Sequence, residues 1–250
     1  MWLVLCPSDD LAALWAFHGL KERGLESLEL VTVETLGLGV RWDHRVSTQR
    51  VSLEFTLADG RCIRDGDLQG TLNRLSYPPL DSLVLFQPAD REYVRQELTS
   101  FFLSWLSALP GPVINRPTPW GLTGQWRHVS EWAALAARAG LPVPPYHLTS
   151  RDLHEPTSPA MRLVPNGVAI TTLIVAGSAV VGASAPPSIR EGCLRLAGLA
   201  DTALLGVEFL ADPQAGWLFA GATPLPDLRL GGEPLLDALA LLLRGKQGVQ

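Results

Sequence analysis

Residues Gly111 to Pro144 read GPVINRPTPWGLTGQWRHVSEWAALAARAGLPVP. Pro112-Val113-Ile114 is a short apolar strand that ends in a polar pair, Asn115-Arg116. Pro117 and Pro119, with Trp120, Gly121, Gly124 and Trp126, then make a stiff loop. Ser130 begins a predicted helix with Trp132, Leu135, Ala136 and Ala139 on one stripe, stopped at Gly140. Strand, polar tip, loop and helix is the order in which open α/β sheets build a binding crevice at their carboxyl edge.

Upstream, Trp2 to Cys6 is a short apolar strand, and Pro7-Ser8-Asp9 opens a helix with Leu11, Leu14, Trp15 and His18 at helical spacing. On that stripe His18 is expected to be a core or half-buried histidine. Leu28 to Val33 is a second strand, so the chain begins β-α-β, without a glycine-rich phosphate loop after the first strand. Val51, Leu53, Phe55 and Leu57 alternate up to Asp59-Gly60, predicting a type I′ hairpin at the edge of a parallel sheet. Trp42, His44 and Arg45 precede it, either lining a surface groove or as an aromatic cover for that edge. Gly70 to Leu75 repeats the motif of an apolar strand ending in Asn-Arg. Asp90 is expected to cap a long helix whose buried face carries Tyr93, Val94, Leu98, Phe101, Phe102 and Trp105.

Downstream, residues 145–160 hold Arg151, Asp152, His154 and Glu155 at no metal-ligand spacing, as a solvated linker would. From Gly167 to Ile189 there is no charge, a length that could span a bilayer. Gly177-Ser178 at its centre, between β-branched runs, instead predicts a buried hairpin with a type II′ turn. Ser188-Ile189-Arg190-Glu191 then reads as a capping box. Leu204 to Leu210 and Trp217 to Ala222 are antiparallel strands, and Glu233-Pro234 starts a last helix to Leu243. The class is α/β: an N-terminal Rossmann-like layer with an edge hairpin over 1–116, a connecting loop, helix and linker over 117–160, and a small α+β layer over 161–250.

Composition narrows the partners. At 250 residues, net charge −5 and pI near 5.5, bulk electrostatics disfavour nucleic acid. Eighteen of the twenty basic residues are arginine; Lys21 and Lys246 are the two lysines, so lysine chemistry has few candidates. Cys6, Cys62 and Cys193 lie in apolar contexts without metal spacing, as reduced core thiols of a cytoplasmic protein do. The start carries no basic segment, so no signal peptide is expected.

The twin pairs Asn73-Arg74 and Asn115-Arg116 are the strongest internal coincidence. At neighbouring strand ends they would aim two guanidiniums into one crevice suited to a carboxylate or phosphate. Alternatively each Asn satisfies a turn and each Arg pairs with an acid on the next helix. Trp120 and Arg127 belong to the loop covering that crevice.

The NRP strand end and AGLPVP helix end resemble the junction of ATP-grasp ligases between the pre-ATP-grasp domain and the nucleotide-binding part. LIVAG (Leu173–Gly177), LGVEF (Leu205–Phe209) and WLFAGATPLP (Trp217–Pro226) resemble strands of the family's C-terminal subdomain. The resemblance covers nearly the whole chain. It implies a "lgvDf" acid at Glu208 and, from "wyvlEvNpxP", a Glu and an Asn at the positions of Gly221 and Thr223. Neither of the latter supplies a carboxylate, which leaves Glu208 as a weak metal candidate on its own. Between Pro144 and the hairpin about two dozen residues remain for the family's lid, too few for a separate subdomain. The expectation is a degenerate, non-catalytic ATP-grasp-like subunit for peptide or protein modification, without a cofactor. Its partner would be a peptide, a protein or an anionic small molecule, with a homodimer compatible and no membrane. The alternative is an active ATP- and magnesium-dependent carboxylate-amine ligase using Arg116, Arg127 and Arg162 as phosphate ligands.

Overall fold

The computed structural model describes residues 1–49, 51–80, 83–84, 86–145, 170–212 and 216–245. These fall into two compact units, Met1–Gln125 with Leu239–Gln250, and Trp126–Ala238. The boundary therefore lies after Gln125 rather than after Arg116, and the last turn of the final helix returns to the first unit. The linker expected over 145–160 lies, but for Pro145, outside the described residues.

In the first unit, β1 (Trp2–Cys6), β2 (Leu28–Thr32), β6 (Gly70–Asn73) and β7 (Val113–Ile114) form a parallel sheet in the order β2-β1-β6-β7. The chain leaves β1 towards β2 and later returns to its other side, so the topological switch point lies between β1 and β6. Helix α1 (Leu11–Glu22) buries Ala12, Ala13, Ala16, Gly19 and Leu20, and the short α2 (Val33–Gly37) follows β2. Leu11 and His18 face outward, and Leu14 and Trp15 are half-buried. This corrects the expected stripe: small side chains provide the buried face, and the bulkier periodic set lies off it. At Gly70 an added Cβ would lie 2.6 Å from the Leu243 carbonyl, so the chain's C-terminal turn approaches β6 closely.

The edge hairpin is a separate sheet. β3 (Arg41–Val46), β4 (Val51–Thr56) and β5 (Cys62–Arg64) are antiparallel in the order β3-β4-β5. Its β4–β5 loop is not type I′, which would need positive φ at both central residues. Leu57 and Arg61 close a three-residue loop in which Gly60 has φ +85°, the G1-bulge arrangement. Helix α3 (Arg91–Ala108) pins this sheet through an aromatic cluster. Phe55 meets Trp105 at 4.5 Å between centroids, and Trp42 stacks on Phe101 at 5.6 Å. Phe55, Phe102 and Trp105 are fully buried, each stabilising by about 1.5–3 kcal/mol. The buried face is confined to the C-terminal half of α3; Tyr93 is exposed and Asp90 makes no side-chain cap.

In the second unit, β8 (Ile170–Ala176), β9 (Ala179–Gly182), β10 (Leu204–Asp212) and β11 (Gly216–Thr223) form an antiparallel sheet in the order β11-β10-β8-β9. Ala176 pairs with Ala179 across Gly177-Ser178, and Gly177 has φ +59°, as a type II′ turn requires. No described helix is long and apolar enough to cross a membrane. Helix α4 (Val129–Arg138) is capped by His128 and Glu131 in a capping box and buries Trp132, Leu135 and Ala136. With α5 (Pro187–Ala200) it covers one face of the sheet, over Leu173, Val175, Val207, Phe209 and Phe219. Helix α5 starts with Pro187 at its first position instead of a Ser188 capping box, because proline's missing N–H is no loss there. Helix α6 (Gly232–Leu243) starts in this unit, and its residues from Leu239 onward belong to the first.

Candidate functional site

Both Asn-Arg pairs stand at the carboxyl ends of neighbouring parallel strands, and the asparagines do meet. Asn73, at the end of β6, is 1 % exposed. Its amide donates to the carbonyls of Asn115 (3.0 Å) and Leu122 (2.7 Å), and its side-chain oxygen accepts from the Leu75 N–H (3.2 Å). Three bonds from one buried side chain join the two strand ends to the loop after β7. Asn115 is buried beside it.

The arginines are committed elsewhere. Arg74 is 5 % exposed and donates to Asp10 through Nε (2.6 Å) and a terminal nitrogen (3.3 Å). The same carboxylate caps α1 by accepting from the Ala13 N–H (2.9 Å). This ion pair joins the chain after β1 to the chain after β6, at the switch point where such folds leave their crevice. Arg116, exposed on the surface, donates to the carbonyls of Ser107, Leu109 and Gly111, the C-terminal end of α3. Of the two roles the sequence allows, these contacts are the structural ones.

Beside the asparagine junction lies a groove of about 420 Å³ whose lining includes neither arginine. One wall is Ser76, Tyr77 and Pro78, the chain that follows Arg74-Leu75; the other is Pro119, Trp120 and Gly121. The Thr118–Gly121 turn is locked by reciprocal backbone bonds of 2.9 and 3.1 Å, and the Thr118 hydroxyl accepts from the Trp120 N–H. That rigid turn holds the Trp120 indole 70 % exposed. Leu103 and Leu122 add apolar surface, and α3 contributes Arg95 and Thr99. Arg95 is bridged to Glu92 at 2.6 Å, and no carboxylate among the described residues lines the groove. The sequence marked Trp120 but not Tyr77 or Arg95. The Tyr77-Pro78-Pro79 loop, a turn signal carrying an aromatic, was the available clue.

Arg127 belongs to the second unit. Its guanidinium donates to the Ala200 carbonyl (3.3 Å) at the end of α5 and lies 5.6 Å from the Trp132 ring centroid. Glu208 lies half-buried on β10, between Thr172 of β8 and Gly221 of β11. A Cβ at Gly221 would come within 3.3 Å of the Glu208 carboxylate, and the Thr223 hydroxyl accepts from the Leu225 N–H. Among the described residues no three His, Cys, Asp or Glu side chains gather as a metal site. One carboxylate and two threonines do not make the hard-oxygen set that a pair of magnesium ions demands beside phosphates. The described residues around Glu208 do not by themselves fit that group. Arg162 and the lid region lie outside the described residues.

No family model and no curated protein matches this sequence. Solved structures do match over nearly the whole chain. The macrocyclase MdnC bound with precursor peptide MdnA, from Microcystis aeruginosa, aligns with TM-score 0.72 at 11 % identity, covering 98 % of this chain and 100 % of that one. A Chryseobacterium gregarium RiPP-associated ATP-grasp ligase, in complex with ADP and a leader and core peptide, aligns at 0.71 and 10 %, covering 98 % and 97 %. The ATP-grasp ligase PsnB complexed with minimal precursor aligns at 0.69 and 16 %, covering 96 % and 98 %. The chain has an ATP-grasp-like fold.

Proposed function

We propose that this protein is a non-catalytic peptide-binding member of peptide-modification chemistry, and that it takes its peptide in the groove between Tyr77 and Trp120. The observation that carries the reading is Trp120 itself. An indole held 70 % exposed on a hydrogen-bonded proline turn costs apolar hydration and contributes little to the core. Aromatic anchors of this kind, beside prolines and one cation, are the side chains that dominate peptide recognition. The solved structures with this fold include ligases bound to precursor peptides, which fits a peptide as occupant.

The non-catalytic part rests on Gly221 and Thr223, where the family resemblance asks for a Glu and an Asn. Loss of both would remove metal affinity and the charge stabilisation of phosphoryl transfer together. Of the arginines that the ligase alternative calls on, Arg116 and Arg127 are engaged with backbone carbonyls, and Arg162 lies outside the described residues. The test is selection from a random peptide display library against the wild type, with counter-selection against Trp120→Ala. The expected outcome is enriched peptides that the variant fails to retain. Equal retention by both proteins would remove the groove from the account.

A further inference from the structure

Strand β3 is an edge of its three-stranded sheet, so one row of its backbone N–H and C=O groups lacks a strand neighbour among the described residues. Edge strands of this kind invite a further strand, and proteins ordinarily block them with unpaired charge. Here the block is neutralised. Asp43 accepts from Arg41 at 2.6 Å and from two nitrogens of Arg45 at 2.8 Å, all on one face of the strand. On the other face Trp42 and His44 pack against Phe101 of α3, while Val46 continues that face and remains 65 % exposed.

We propose that β3 pairs antiparallel with β3 of a second copy, about a twofold axis at His44, making a continuous six-stranded sheet. The occupant follows from charge complementarity. Centred on His44, the pairing sets Asp43 opposite Arg45 of the partner, and by symmetry the reverse; each pair is a cross-strand attraction. On the other face, Val46 lands opposite Trp42 of the partner, so an exposed apolar side chain is covered twice. Centred on Asp43 instead, the strands would set Asp43 against Asp43 and Arg41 against Arg45. Centred on Trp42, the register pairs only Arg41 to Asp43 within the strand, against Trp42 to Val46 for the His44 centre. The interface leaves the Tyr77–Trp120 groove outside the pairing strands and does not depend on its function.

Light scattering coupled to size exclusion, over a concentration series, reads the outcome. The wild type is a dimer. Asp43→Arg sets only guanidiniums across the axis and Arg45→Asp only carboxylates, so each alone self-associates at least about tenfold more weakly. Mixing the two variants restores a dimer, because each supplies the charge that the other lacks. Val46→Lys, at an exposed apolar position, weakens the dimer while leaving the melting temperature unchanged at dilutions where both proteins are monomeric, which keeps the test independent of the ion pairs. A wild type that stays monomeric through the series overturns the proposal. So does a dimer indifferent to these substitutions, or rescue of Asp43→Arg by Arg41→Asp rather than Arg45→Asp.

Discussion

Arg74 shows why residue type and spacing alone leave a role open. An arginine after a strand end can face a ligand or an acid, and the acid, Asp10, sits sixty-four positions away in sequence. Nothing local to Asn73-Arg74 points to it. With Arg74 5 % and Asp10 14 % exposed, removing one partner strands a charge, so Arg74→Ala should destabilise by about 3 kcal/mol. Chemical denaturation of Arg74→Ala, Asp10→Ala and the double variant should show strong non-additivity. Additive losses would mean that the pair is not coupled. The thiols offer a second check. Burial, with Asp10 nearby, pushes Cys6 up to about 12, and burial pushes Cys193 to about 12. In the unfolded chain both ionise near 9. Their contribution is therefore complete below pH 9 and is lost as pH rises from about 9 to 12, because only the unfolded state then releases protons. At pH 8 a thiol reagent should modify Cys62, which is half-buried, well before Cys6 or Cys193.

At the scale of elements, legibility followed the turn chemistry. Gly177-Ser178 specified its hairpin because a single glycine at positive φ fixes both the turn type and the register of β8 on β9. Gly177→Val should accordingly cost about 1–3 kcal/mol in thermal unfolding, since a β-branched residue resists that backbone region. A neutral effect would mean that the turn relaxes to another type. Asp59-Gly60 was less decisive, since the same dipeptide serves type I′ and G1-bulge loops and only Gly60 takes positive φ. Strand β3 was illegible for a different reason: the sequence grouped Trp42, His44 and Arg45, and only pairing with β4 separates the Trp42–His44 face from the Arg41–Asp43–Arg45 face. In α1 the hydrophobic period favoured large residues, whereas close approach to the parallel sheet selected alanine and glycine.

For the whole molecule, short motifs spread along the chain pointed to the ATP-grasp-like fold, which solved structures share at 10–16 % overall identity. The groove was half visible: Trp120 stood out, while Tyr77 follows β6 and Arg95 lies on α3, both distant from it in sequence. The central claim is that this fold retains peptide recognition without nucleotide chemistry, and thermal unfolding with and without saturating Mg-ATP addresses it most directly. A bound ligand at a hundred times its dissociation constant would stabilise the chain by about 2.7 kcal/mol, a shift of several degrees. The account predicts no shift with millimolar Mg-ATP; a clear magnesium-dependent rise in melting temperature would contradict it.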